Sequence, residues 1–189
     1  MTDASACRVV LMGMMGSGKT TLGTLLSRRT GWPYHDNDAL LRAATGQTAR
    51  QLAERGEEAL RDAEAAALRH GLRAPPPSIV AAAGGVVADA ELRDLLRRDA
   101  IVVWLDAPAA VLARRAAVGA HRPWLQSDAA AWMASAAAER EPLYRSVADL
   151  VLDTEAGTPA EGATTIIEVL ARTPCAAWLG TPLATPAGS

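Results

Sequence analysis

The run Gly13-Met14-Met15-Gly16-Ser17-Gly18-Lys19-Thr20 constrains this chain more than any other segment. It matches the pattern G-x4-G-K-[ST], with an additional glycine at position 16. The short apolar run Arg8 to Met12 before it reads as a buried strand. Lys19 to Arg29 after it reads as a helix with Leu22, Leu25 and Leu26 on one face. At ordinary glycine, lysine and Ser/Thr frequencies such a match arises by chance in a chain of this length roughly once in 150, and the flanking strand and helix make it rarer still. Strand, glycine loop and helix in this order build a phosphate cradle, because successive backbone N–H groups and the helix N-terminus all face an anion. The implied ligand is ATP or GTP. Gly16, Ser17, Gly18, Lys19, Thr20 and Thr21 surround its phosphates, Lys19 reaches the β- and γ-phosphates, and the Thr20 hydroxyl binds Mg2+. A dinucleotide fingerprint is excluded, because Thr21 stands where glycine or alanine is needed.

Composition sharpens this reading at one point. Of 19 basic residues only one, Lys19, is lysine, so 18 are arginine. A compact ammonium fits a tight phosphate loop where the broad guanidinium does not. The net charge of −2 gives no general field for a polyanion, so no nucleic-acid partner is expected. Cys7 and Cys175 have no metal-ligand spacing and read as reduced thiols. No apolar stretch approaches membrane-spanning length and no basic leader precedes Val9 to Met12, so a soluble, cytoplasmic protein without a membrane partner is expected.

Further along, Tyr34-His35, Ser78 to Ala82, Ile101 to Leu105 and Leu150 to Leu152 read as strands. Helices are expected at Ala39 to Ala44, Ala49 to Arg55, Glu57 to His70, Ala90 to Arg98, Ala109 to Ala117, Ala129 to Glu139 and from Thr158-Pro159 to near Arg172. Gly119 to Ser127 reads as a mobile loop, and Pro142 is expected to break the helix that carries Arg140. Strands separated by helices imply an α/β, doubly wound P-loop fold. Its expected parts are a central five-stranded parallel sheet, a small substrate-binding helical region and a lid loop, with ligands at the carboxyl ends of the strands. One domain is expected over 1–172, followed by a flexible tail over 173–189 rich in Pro, Ala, Gly and Thr.

A phosphate loop supplies binding, not a reaction. Asp36 and Asp38 alternate across a strand end, where one carboxylate can organise Mg2+ while the other faces an acceptor hydroxyl; helix capping is the plainer use of the same pair. Arg61 lies inside a helix and is by itself an ordinary solvated arginine. Gly84-Gly85 permits close approach of a ligand or makes a plain turn. Arg122-Pro123 sits in the glycine-bounded loop, and Arg140 precedes Glu141-Pro142-Leu143-Tyr144.

Taken in order, these residues resemble the shikimate kinase family over about residues 8 to 170. The series is GxxGxGKT, Asp-x-Asp, Thr45-Gly46, Gly56-Glu57 with Arg61 and Glu64, the Gly-Gly turn, Arg-Pro, and Arg-x-Pro-Leu-Tyr. The resemblance implies ATP and Mg2+ as cofactors and shikimate as a small-molecule partner, handled by a monomer. It implies that Asp36 helps place Mg2+ with Thr20, and that Asp38 binds the acceptor hydroxyls and takes the proton. It also implies that Arg61 and Arg140 pair with the substrate carboxylate, that the Gly84 backbone closes the pocket, that Arg122 enters with the lid and that Arg115 stacks on adenine. Catalysis then falls to Lys19, Asp38 and Arg122. The chain departs from the family at Ala81, at Ala83, and at Leu52 and Leu60 in place of pocket phenylalanines; it contains no phenylalanine. Two other readings share the same residues: a kinase for another cyclic polyol acid, and a non-catalytic ligand-sensing domain.

Overall fold

A computed structural model of the chain describes residues 7–119 and 129–180. Five strands, β1 (Arg8–Met12), β2 (Tyr34–His35), β3 (Ser78–Ala81), β4 (Ile101–Asp106) and β5 (Leu150–Asp153), form one parallel sheet in the order β2-β3-β1-β4-β5. Eight helices accompany them among the described residues: α1 (Lys19–Thr30), α2 (Asn37–Thr45), α3 (Ala49–Arg55), α4 (Glu57–Gly71), α5 (Ala90–Asp99), α6 (Ala109–Gly119), α7 (Ala129–Val147) and α8 (Pro159–Leu170). The chain leaves central β1 for β2 on one side and later crosses to β4 on the other. The loop after β1 therefore opens at the point where the strand order reverses, which is where open α/β sheets bind ligands.

The alternation of side chains in β1 explains why the run is apolar throughout. Val10 and Met12 face a core with Leu68, Leu92, Leu96, Met133 and Tyr144. Val9 and Leu11 face the opposite core, with Leu22 and Leu26 of α1 and Ile166 and Leu170 of α8. A strand covered on both faces cannot carry polar residues at either parity. A third, smaller core of Leu41, Leu52, Ala63 and Ala67 ties α2, α3 and α4 together as the expected helical region beside the sheet.

Three expectations need correction. First, α7 does not stop at Glu139; it runs through Pro142 to Val147. A proline inside a helix forfeits one backbone hydrogen bond. Here buried Met133 and Ala136 anchor α7 before the proline, and buried Tyr144 and Val147 anchor it afterwards. Second, residues 173–180 are packed rather than a flexible tail. Thr173 caps a 3-10 turn over Pro174–Trp178, and the Trp32 indole N–H donates to the Trp178 carbonyl at 3.4 Å. Residues 181–189 lie outside the described residues. Third, Cys7 and Cys175 are joined in a disulfide with Cα atoms 5.2 Å apart. Their 168-residue separation in sequence hid a proximity that the turn after α8 creates.

Closing so long a loop restricts the unfolded chain, an effect of about 2–4 kcal/mol. Reduction is therefore expected to lower the melting temperature by roughly 4–15 °C. Thermal melts of the oxidised protein and of protein refolded in reductant check this; coincident melts would show that the bond contributes no stability.

Candidate active site

The loop between β1 and α1 is shaped by glycines at two places where nothing larger fits. Gly13 has φ +145°, and a Cβ there would lie 2.5 Å from the Leu105 carbonyl oxygen. Gly16 has φ +81°, and a Cβ there would lie 2.6 Å from the Leu112 carbonyl oxygen. The loop is thus wedged between the end of β4 and α6. The Lys19 ammonium folds back across it, donating to the carbonyls of Gly13 at 2.8 Å and Met14 at 3.0 Å. Gly16, Ser17, Gly18, Lys19, Thr20 and Thr21 all line one cavity of about 1350 Å3. That is larger than a usual single-ligand site, and room for two substrates is what it offers.

Asp36 is not in a strand but caps α2, and Asp38 is the second residue of that helix. The capping reading and the ligand reading hold together because the two oxygens of Asp36 divide the work. Oδ1 accepts from the Asp38 backbone N–H at 3.0 Å. Oδ2 accepts from the Thr20 hydroxyl at 3.1 Å and from the Tyr34 hydroxyl at 2.9 Å. Burial, then the adjacent Asp36 carboxylate, push the Tyr34 phenol well above its usual value, so it stays a donor. A hydroxyl and a carboxylate side by side at the mouth of a phosphate loop form a hard-oxygen pair. They suit Mg2+, which keeps most of its waters and takes phosphate oxygens for the rest.

The other end of the cavity carries the two arginines. Arg61, from α4, is held by Glu64 at 2.7 Å and Glu57 at 3.2 Å. Arg140, from α7, reaches the Met14 sulfur at 3.6 Å and lies over the Trp132 ring at 5.9 Å. Both guanidiniums act on Glu64. Its carboxyl is pushed above the usual range by burial, a shift that Arg61 and Arg140 oppose and Asp38 adds to. Arg61 is offset by Glu64 and Glu57, so Arg140, which contacts the Met14 sulfur and the Trp132 ring, is the guanidinium better placed to meet a second carboxylate. Asp38, Arg61, Glu64, Gly84 and Arg140 all line this end. Gly84 is fixed from behind, its carbonyl accepting from the Tyr144 hydroxyl at 2.7 Å.

Gly85 has a role that its turn position did not reveal. A Cβ there would fall 1.9 Å from an Arg61 guanidinium nitrogen. Gly85→Ala is therefore expected to displace the tip of Arg61 while leaving the backbone unstrained, since φ is −85°. Acceptor KM should rise about 10-fold, the scale of one charge-assisted hydrogen bond, with nucleotide affinity and melting temperature nearly unchanged. A lost fold, or an unchanged acceptor KM, would contradict this placement.

At the far side, Arg115 is tied down by Thr154, through the Oγ1 at 3.1 Å and the carbonyl at 2.8 Å. The Thr154 to Thr158 segment, which leads into the capping box of α8, lines the cavity beside it. Arg122 and Pro123 lie outside the described residues. Every other site residue expected from the sequence lines this one cavity. Of the two leucines read as replacing pocket phenylalanines, Leu60 lines the cavity, but Leu52 is buried in the small helical core instead. Sequence reasoning missed the anchoring parts, namely Tyr34, Gly85, Trp132 and Thr154. The i, i+3 spacing of Arg61 and Glu64 and the i, i+4 spacing of Glu57 and Arg61 did signal such partners.

Known proteins resemble this chain in sequence and in fold. A family model described as shikimate kinase matches residues 15–171. The shikimate kinase of Halorhodospira halophila is 39% identical over 165 residues, covering 86% of this chain and 93% of that protein. The shikimate kinase of Marinomonas sp. is 35% identical over 170 residues, covering 88% and 93%. Among solved structures, the shikimate kinase of Acinetobacter baumannii in complex with shikimate superimposes with a TM-score of 0.81 at 29% identity, covering 89% of this chain and 95% of that one.

Proposed function

The chain belongs to the shikimate kinase family, and from that premise we propose that it transfers the γ-phosphoryl group of ATP to a hydroxyl of shikimate, giving shikimate 3-phosphate. One observation carries the reading: the phosphate loop, the Asp36–Asp38 pair and the two arginines Arg61 and Arg140 line a single cavity. Phosphoryl transfer asks for alignment and charge stabilisation more than for covalent help, and these residues supply both. The loop amides and Lys19 hold the β- and γ-phosphates. Thr20 and Asp36 are the residues that would hold Mg2+, which when bound neutralises charge on the phosphates. Asp38 receives the proton of the attacking hydroxyl. Arg61 and Arg140 take the acceptor carboxylate in charge-assisted hydrogen bonds, and the Gly84 backbone bounds that pocket. Arg115, held by Thr154, faces the adenine. Arg122, outside the described residues, is proposed from the family resemblance to stabilise the transferring group.

Among the described residues no helix is long and apolar enough to cross a membrane. We infer that the reaction, which uses ATP, runs in the cytoplasm.

An ADP-release assay with shikimate, quinate and gluconate in parallel tests the proposal. Shikimate should give the highest kcat/KM. Because Leu60 stands in the pocket wall where relatives of this family carry the bulkier phenylalanine, quinate is the informative competitor. Equal or faster use of quinate would move the assignment to another cyclic polyol acid, and absence of ADP with any acceptor would support a ligand-sensing domain.

A further inference from the structure

Tyr34 is the donor to Asp36 that the reaction itself does not account for. It does not line the cavity, so it touches neither substrate nor nucleotide directly. Yet its hydroxyl lies 2.9 Å from Asp36 Oδ2, the same oxygen that accepts from Thr20 at 3.1 Å. The other two donors to this carboxylate, Thr20 and the Asp38 backbone, belong to residues that line the cavity. Tyr34 comes from β2, whose pairing with β3 and packing into the α1-side core fix it independently of any ligand. Its ring is seated on Gly23 of α1: a Cβ at Gly23 would come within 2.2–2.7 Å of three of the ring carbons. Phenylalanine would fill this socket equally well. The hydroxyl is what tyrosine adds, and it points at one carboxylate oxygen.

We propose that Tyr34 is a positioning residue for Asp36, and that Gly23 provides the socket that aims it. The carboxylate is thereby pinned by three donors, one of which comes from outside the cavity lining. Groups one step removed from a metal ligand tune metal affinity by fixing the ligand's geometry. The proposal rests on the reading of Asp36 as the residue that organises Mg2+, and the test separates the two.

The measurement is calorimetric titration of ADP into the wild type and variants, once with Mg2+ and once with chelator. Tyr34→Phe keeps the ring in its socket and should bind metal-free ADP within about 2-fold of wild type. Its Mg2+-dependent tightening of ADP should shrink about 10-fold, at the low end of effects for such outer partners. Gly23→Ala, which displaces the ring, should do the same and should add little when combined with Tyr34→Phe. Asp36→Asn should lose the tightening altogether. If Asp36→Asn loses it while Tyr34→Phe retains all of it, the positioning role is wrong and the reading of Asp36 stands. If Asp36→Asn retains it, both fall. A purely structural role for Tyr34 would weaken ADP equally with and without Mg2+, and that outcome also overturns the proposal.

Discussion

Lys19→Ala is expected to lower turnover by at least about 10²–10³-fold, the cost of removing one preorganised charge from a phosphoryl-transfer site. The fold should survive. Lys19 Nζ donates to two loop carbonyls, but the loop's shape is set by Gly13 and Gly16 against Leu105 and Leu112. The chain has no second lysine to substitute. Lys19→Arg should not rescue activity, although it keeps the charge. A planar guanidinium cannot fit the narrow space that the ammonium occupies 2.8 Å from Gly13 and 3.0 Å from Met14. Steady-state kinetics together with a thermal melt check both points. Near-native turnover in Lys19→Arg would show that the loop does not enclose phosphate as tightly as its geometry requires.

The second large effect belongs to the acceptor end. Arg61 and Arg140, 79 positions apart in the chain (140 − 61), line the same cavity. If both bind the acceptor carboxylate, Arg61→Ala or Arg140→Ala should reduce kcat/KM for shikimate by roughly 10- to 150-fold, from about 1.5–3 kcal/mol per charged hydrogen bond. ATP affinity should be retained. The shikimate methyl ester should be a poor substrate for the wild type and should lose little more in either variant, because the interaction is already absent. Arg61 has a second duty, since it neutralises buried Glu64 at 2.7 Å. Its loss should therefore reduce stability more than Arg140→Ala, because among the described residues no ion pair joins Arg140 directly to Glu64. Wild-type acceptor kinetics in both variants would mark the two arginines as surface residues.

The residues that line the cavity were legible in the sequence, and the residues that hold them were not, for a physical reason. Phosphate binding needs glycines, a lysine and a hydroxyl within eight consecutive positions, so the pattern is written in one stretch of chain. Parallel strands buried on both faces write themselves as short apolar runs, which is why β1, β3 and β4 were recognisable. The partners of Tyr34 with Asp36, Arg61 with Gly85, and Arg115 with Thr154 depend on contacts that folding creates. Gly85 looked like a turn glycine and is in fact a vacancy for a guanidinium. Cys7 and Cys175 looked unrelated because sequence distance carries no information about the packing of residues 173–180. Pro142 looked like a helix end because the local rule is sound; buried side chains before and after it override the rule in α7.

The central claim is that one cavity passes a phosphoryl group from ATP to a carboxylate-bearing acceptor. Single-turnover transfer with γ-labelled ATP, excess enzyme and shikimate tests it most directly. The label should appear in a shikimate phosphate ester and should form neither inorganic phosphate nor a labelled protein. Label released as phosphate at the same rate with and without shikimate, or retained in ATP throughout, would contradict it.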